Sequence, residues 1–141
     1  MRCAVFVLLS GCALQAWSVP QPYFTTKQPA DVFARAVAAT LKNCGGVRDT
    51  NEESGLIVAP WVSWNTGDGL ILTQCMVSLL NGDEHVRDVR VTFAARKCPL
   101  SDMDSDLSEL AKTCELAETV PEQVKNGLEV IAKAMEAEIA R

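Results

Sequence analysis

The run Leu70-Ile71-Leu72-Thr73-Gln74-Cys75-Met76-Val77-Ser78-Leu79-Leu80 decides the fold. Its apolar side chains occupy both alternations, broken only by Thr73, Gln74 and Ser78, which predicts a central β-strand covered on much of both faces. Downstream, Asn81-Gly82 is a short hairpin signal. Beyond it Val89, Val91, Phe93 and Ala95 alternate with Arg90, Thr92, Ala94 and Arg96, a strand with one dry and one wet side. A two-residue turn at Asn81-Gly82 makes partner numbers sum to about 163 to 165, placing Cys75 opposite Val89 or Arg90. Upstream, Asn65-Thr66-Gly67-Asp68-Gly69 is turn chemistry. It separates the central strand from Leu56 to Trp64, whose β-branched and aromatic residues predict a strand that Pro60 puts at an edge or a bulge.

Helical patterns flank these strands. Pro29 suits the first residue of a helix in which Val32, Phe33, Ala36, Val37, Thr40, Leu41 and Cys44 share one face, and Gly45-Gly46 ends it. From Ser101 the chain reads as helix again: Ser101 or Ser105 can cap, and Asp102, Asp104, Asp106 and Glu109 sit where a helix start favours negative charge. Pro121 starts a last helix, about 30 Å long, with Val124, Leu128, Ile131, Met135 and Ile139 on its apolar side. Glu122, Lys125, Glu129, Lys133 and Glu136 point away. The expected architecture is α+β: a three- or four-stranded antiparallel sheet with N-terminal and C-terminal helices on one face.

The chain of 141 residues is one domain's worth, and 48% hydrophobic with 22% charged residues is a globular composition. Thirteen basic and 18 acidic residues leave a net charge of −5, a poor balance for binding nucleic acid. Met1-Arg2, the uncharged apolar run Cys3 to Leu9 and the small residues after it have the layout of an export signal, too short for a membrane span.

That run closes in Leu9-Ser10-Gly11-Cys12, which resembles the lipobox of bacterial lipoproteins. The resemblance implies that residues 1–11 are removed, that Cys12 is lipidated, palmitate included, and that it becomes the first residue. Ala13 follows in place of the retention Asp, so the implied location is the periplasmic side of the outer membrane, with membrane contact through the lipid. The alternative is cleavage after Ser18, with Ala16 and Ser18 at the inspected positions, giving a periplasmic or secreted protein. Either removes Arg2, leaving 12 basic against 18 acidic residues, or −6. Residues 12–28, with Val19-Pro20-Gln21-Pro22 and Thr25-Thr26, read as anchor and extended tether, and 29–141 as a single α+β domain. In element order alone, that domain is similar to the helix-grip domains of some outer-membrane assembly lipoproteins, a likeness of fold that carries no function.

Four cysteines remain in the body, and four in an exported domain point to two disulfides. With Cys75 opposite Val89 or Arg90, Cys98 lies roughly 25 Å away along the sheet, too far for a bridge. Cys98 and Cys114 flank one loop and half a helix; Cys44 ends the first helix's apolar face and Cys75 lies on a strand that face can cover. The expected pairs are Cys98 with Cys114 and Cys44 with Cys75, the latter against two free buried thiols as the alternative.

Catalytic patterns are sparse. His85 is the single histidine and sits in a turn, so there is no zinc pair and no imidazole relay. There is no Gly-x-Ser-x-Gly, no Cys-x-x-Cys and no phosphate loop opening a helix. Asp102-Met103-Asp104-Ser105-Asp106 resembles the first half of a calcium-binding EF-hand loop, but Leu107 and Thr113 stand where Gly and Glu are needed. Glu52, Glu53, Asp83 and Glu84 read as solvated turn carboxylates. No cofactor and no metal are expected. Trp61 and Trp64 project from opposite faces of one strand, either core residues or contact residues, and Arg87, Arg90, Arg96 and Lys97 make one strand basic, Arg87 and Arg90 being the further candidate contacts. Asp102 to Glu138 instead holds ten acids against three lysines. The expected protein is a non-catalytic lipoprotein acting as a binding or assembly module with an envelope protein partner. The second reading is a carrier or sensor for a small apolar ligand held between sheet and C-terminal helix.

Overall fold

The computed structural model describes residues 19–26, 31–67, 69–80, 87–99 and 106–140. The predicted signal and Cys12, Pro29, the Asn81-Gly82 turn with His85, and Ser101 to Ser105 lie outside the described residues.

In chain order the elements are β1 (Tyr23–Thr26), α1 (Val32–Asn43), β2 (Asp49–Asn51), β3 (Leu56–Asn65), β4 (Leu70–Leu79), β5 (Arg87–Cys98), α2 (Leu107–Thr113), β6 (Glu115–Leu116) and α3 (Glu122–Ile139). The protein is α+β. All pairings are antiparallel, in the order β1-β5-β4-β3-β2, with β6 pairing the far end of β5. The sheet therefore has six strands, not three or four. The additions are short strands along its edges: β1 lies within the stretch read as tether, and β2 within the polar stretch before Gly55.

β4 is central as its composition demands, with Leu70 through Cys75 all buried. Its polar interruptions have partners: Gln74 Nε2 donates to the Ala59 carbonyl at 3.1 Å, and Thr73 Oγ1 accepts from the Trp64 indole N–H at 2.9 Å. The first of these falls at the irregularity in β3, where the register shifts between Val58 and Trp61, around Pro60. Proline cannot donate to a ladder, so the strand bulges there. The bulge also changes which alternation faces the core, from Ile57 and Ala59 before it to Trp64 after it.

The β4–β5 register differs from the expected one. Leu70 pairs with Cys98 and Leu79 with Val89, so partner numbers sum to 168 and Cys75 faces Phe93. A ladder closing with Leu80 N–H donating to the Asp88 carbonyl leaves a connection longer than two residues. That register is not the one a two-residue turn at Asn81-Gly82 would set.

Two apolar layers cover the sheet. On the inner face α1 and α3 bury Val32, Ala36, Val124, Leu128, Met135 and Ile139 against Ile57, Val77, Val91 and Phe93. α1 and α3 are also tied together directly, since Asn43 Nδ2 donates to Glu138 at 3.0 Å and Arg35 donates to the Ile139 carbonyl. The expectation of N- and C-terminal helices on one face holds, but α2 lies on the other. There Leu110 and Ala111 pack with Leu70, Leu72, Cys98 and Cys114, and Trp61 and Leu107 close the cluster. The cap of α2 is also neither Ser101 nor Ser105. Asp106 Oδ1 accepts from the backbone N–H groups of Ser108 and Glu109 at 2.9 and 3.3 Å.

Candidate functional site

Cys98 and Cys114 are disulfide-bonded, with Cα atoms 5.0 Å apart, and the bond fixes α2 to the end of β5. The expected Cys44–Cys75 bond is absent: both are free and buried on the inner face. Donation of the Cys75 S–H to Cys44, with burial next, holds the Cys75 thiol well above its ordinary pKa. Cys44 Sγ in turn donates to Met135 Sδ at 3.8 Å.

Cys44 and Cys75 border a cavity of about 170 Å³ between the end of α1, the middle of α3 and the inner face. Its walls include Cys44, Cys75, Trp64, Phe93, Leu128 and Ile131. Trp64 is held tightly. Besides its bond to Thr73, its ring fills the space over Gly127 in α3, where a Cβ would come within 2.6 Å of the ring. That close approach accounts for a glycine inside a helix, a position that otherwise costs about 1 kcal/mol against alanine.

Of the two tryptophans offered as contacts, neither is a free surface residue: Trp64 packs on the main core and Trp61 on the disulfide cluster. Their opposite faces are as their spacing requires. Arg87 and Arg90 fall on opposite alternations of β5. Arg87 Nε donates to the Leu80 carbonyl at 2.6 Å and ties down the strand end. Arg90 is exposed, its guanidinium 5.6 Å from the centre of the Tyr23 ring. Tyr23 Oη donates to Asp88 at 3.0 Å, which raises the pKa of the exposed phenol. Residues 23–26, passed over as tether, thus supply the partner of one of the expected contact residues.

Around that pair no described helix covers the outer face. α2 covers one end of it, while at the other Tyr23 and Leu56 are 53% and 38% exposed beside half-buried Met76 and Thr92. A larger cleft of about 560 Å³ lies at the opposite end of the sheet, with Lys97, Glu115 and Glu118 among its walls. Among the described residues no group of three or more His, Cys, Asp or Glu could hold a metal. Asp106 is committed as a helix cap, and the Leu107 to Thr113 stretch that would complete a calcium loop is helical.

No family model and no curated protein matches the chain. Among solved structures it is similar to a DUF4468 family protein from Bacteroides ovatus, at 9% identity and a TM-score of 0.43, over 89% of this chain and 91% of that one. No helix among the described residues is long and apolar enough to cross a membrane.

Proposed function

We propose that the protein is a non-catalytic lipoprotein, anchored through Cys12 to the periplasmic side of the outer membrane, that binds an envelope protein through the bare half of its outer sheet face. The observation that carries this reading is the juxtaposition of exposed Tyr23, Leu56 and Arg90 on a rigid sheet. Aromatic residues and arginine are enriched where proteins dock. β1 also brings the anchor close. From Cys12 to Tyr23 is 11 residues, a reach of at most about 40 Å from a lipid at Cys12, shorter than a tether running to residue 28.

The carrier reading draws less support. The inner cavity of about 170 Å³ is below the roughly 300 Å³ at which small-molecule pockets begin.

The test joins anchor and surface. A photo-crosslinking residue at Leu56 or Tyr23, in the native host, is expected to capture an envelope protein that Cys12→Ser and Arg90→Glu each lose. Intact mass of membrane-extracted protein is expected to show a chain starting at Cys12 with acyl groups. A lipid-free chain starting near Val19 sinks the anchor; an acylated chain with no crosslink from either position sinks the docking surface.

A further inference from the structure

Two buried thiols and a thioether converge on the inner face from three separate elements. Cys44 caps α1, Cys75 lies mid-β4 and Met135 belongs to the buried side of α3. Cys44 Sγ is 3.8 Å from Met135 Sδ, and Cys44 and Cys75 line one cavity. Sulfurs bound at about 2.3 Å to one trigonal or tetrahedral ion stand about 3.8 to 4.0 Å apart, the spacing of Cys44 and Met135. The adjoining cavity, bordered by both thiols, supplies a path from the surface. Its size suits an ion better than an organic ligand.

We propose that Cys44, Cys75 and Met135 form a three-sulfur site for a soft monovalent cation of the copper(I) type. The donor set selects the ion. Thiolate and thioether ligands favour Cu(I), whereas zinc takes four ligands drawn from thiolate, imidazole and carboxylate, and hard cations take oxygens. The cavity wall offers no carboxylate and no imidazole. A thioether from Met135 can bind Cu(I) without adding charge to a buried site.

Loading is a ligand exchange with no change of oxidation state. One Cu⁺ enters, the S–H bonds of Cys44 and Cys75 break, and two protons leave to solvent. Two copper–thiolate bonds form, the Met135 sulfur lends an electron pair, and copper stays +1. The ion joins α1, β4 and α3 much as the disulfide joins β5 to α2. Gly45 and Gly46, at positive φ just beyond Cys44, let the helix end adjust.

The site stands independently of the anchor and the outer surface, so failure of either reading leaves the other intact. The full chain, with its Cys98–Cys114 bond in place, would be titrated anaerobically with Cu(I) alone against a chromophoric Cu(I) chelator. One equivalent is expected to bind with a copper–thiolate absorption band. Apparent affinity is expected to rise about a hundredfold per pH unit while two protons are released. Cys75→Ser abolishes binding. Met135→Leu, a volume-conserving swap that keeps the core, weakens it about tenfold or more. Binding unchanged in Cys75→Ser or in a folded Met135→Leu overturns the site. So does tighter binding of Zn²⁺, or a Cys44–Cys75 disulfide in protein taken from the native host.

Discussion

The sheet is packed on both faces, but the two sides are held by different means. The inner side buries α1 and α3 over β3, β4 and β5 and keeps its two cysteines as thiols. The outer side offers α2 only seven residues to dock with, and there the two cysteines are joined. A seven-residue helix is too short to be stable by itself in water, and a small cluster buries too little apolar area to hold it firmly. Cross-linking is used where burial is scarce. Where burial is ample, the same residue type serves as packing.

The sharpest way to break this contrast is to truncate one leucine on each side. Leu128, 1% exposed in the inner core, is expected to lose 2 to 5 kcal/mol on substitution by alanine. Leu110→Ala in the outer cluster, next to the covalent bond, is expected at the low end of that range, about 2 kcal/mol. Urea melts of both variants measure the difference. Equal losses would show that the outer cluster is no satellite.

Removing the bond comes next in size. Cys98→Ala with Cys114→Ala opens a loop of 16-residue separation, worth about 3 kcal/mol by chain entropy. The loss is expected to be local as well as global. Hydrogen exchange should quicken first in α2 and β6, with β4 last, and uniform quickening would mean that the two layers unfold as one.

What the sequence disclosed follows the same division. Strand β4, the face of α3 and the alternation of β5 were legible because burial on one or both sides writes itself into residue type. The bulge at Pro60 was legible from a missing donor. β1 was not: Tyr23-Phe24-Thr25-Thr26 lies between prolines and a polar stretch and becomes a strand only because β5 presents an open edge. The β4–β5 register was misread because Asn81-Gly82 looks like a complete turn, whereas Leu80 and Asp88 close the ladder. As for the site, Arg90 was visible as a basic residue on a wet side, but its partner Tyr23 was hidden by the tether reading. Met135 shows only as one apolar position among several on α3, and nothing in its spacing marks it as a neighbour of Cys44. Pairing Cys44 with Cys75 placed them correctly side by side, yet adjacency of two thiols does not fix whether they bond.

Titration separates the two cysteine pairs without mutating the outer one. A joined pair carries no thiol proton. Cys75 does, and its pKa is raised above the ordinary 9.0, so the folded state keeps the proton that the unfolded chain gives up. Stability from this group is therefore whole below pH 9.0 and falls as pH rises past it. The slope approaches about 1.4 kcal/mol per pH unit for one proton. The measurable quantity is the difference between the native chain and Cys75→Ala in urea melts from pH 8 to 10.5. It should narrow with rising pH; a constant difference would mean that the inner thiol is as inert as the outer disulfide.

The smallest effect falls on the outer layer's helix start. Asp106 accepts from two backbone N–H groups, so Asp106→Ala is expected to cost about 1 kcal/mol and Asp106→Asn, which keeps an acceptor, much less. With the disulfide intact the alanine effect should shrink further, because Cys98–Cys114 holds the other end of α2 in place whether or not its first turn is capped. Without the disulfide the cap should recover its full value, and the two changes should be non-additive by several tenths of a kcal/mol. The sequence also allows Asp106 a different role, as the last acid of a calcium-like run. Adding millimolar calcium separates the two: a cap is indifferent to it, whereas a melt that shifts upward in the native chain and not in Asp106→Asn would make the acidic start of α2 a cation site and the outer layer more than a stapled cluster.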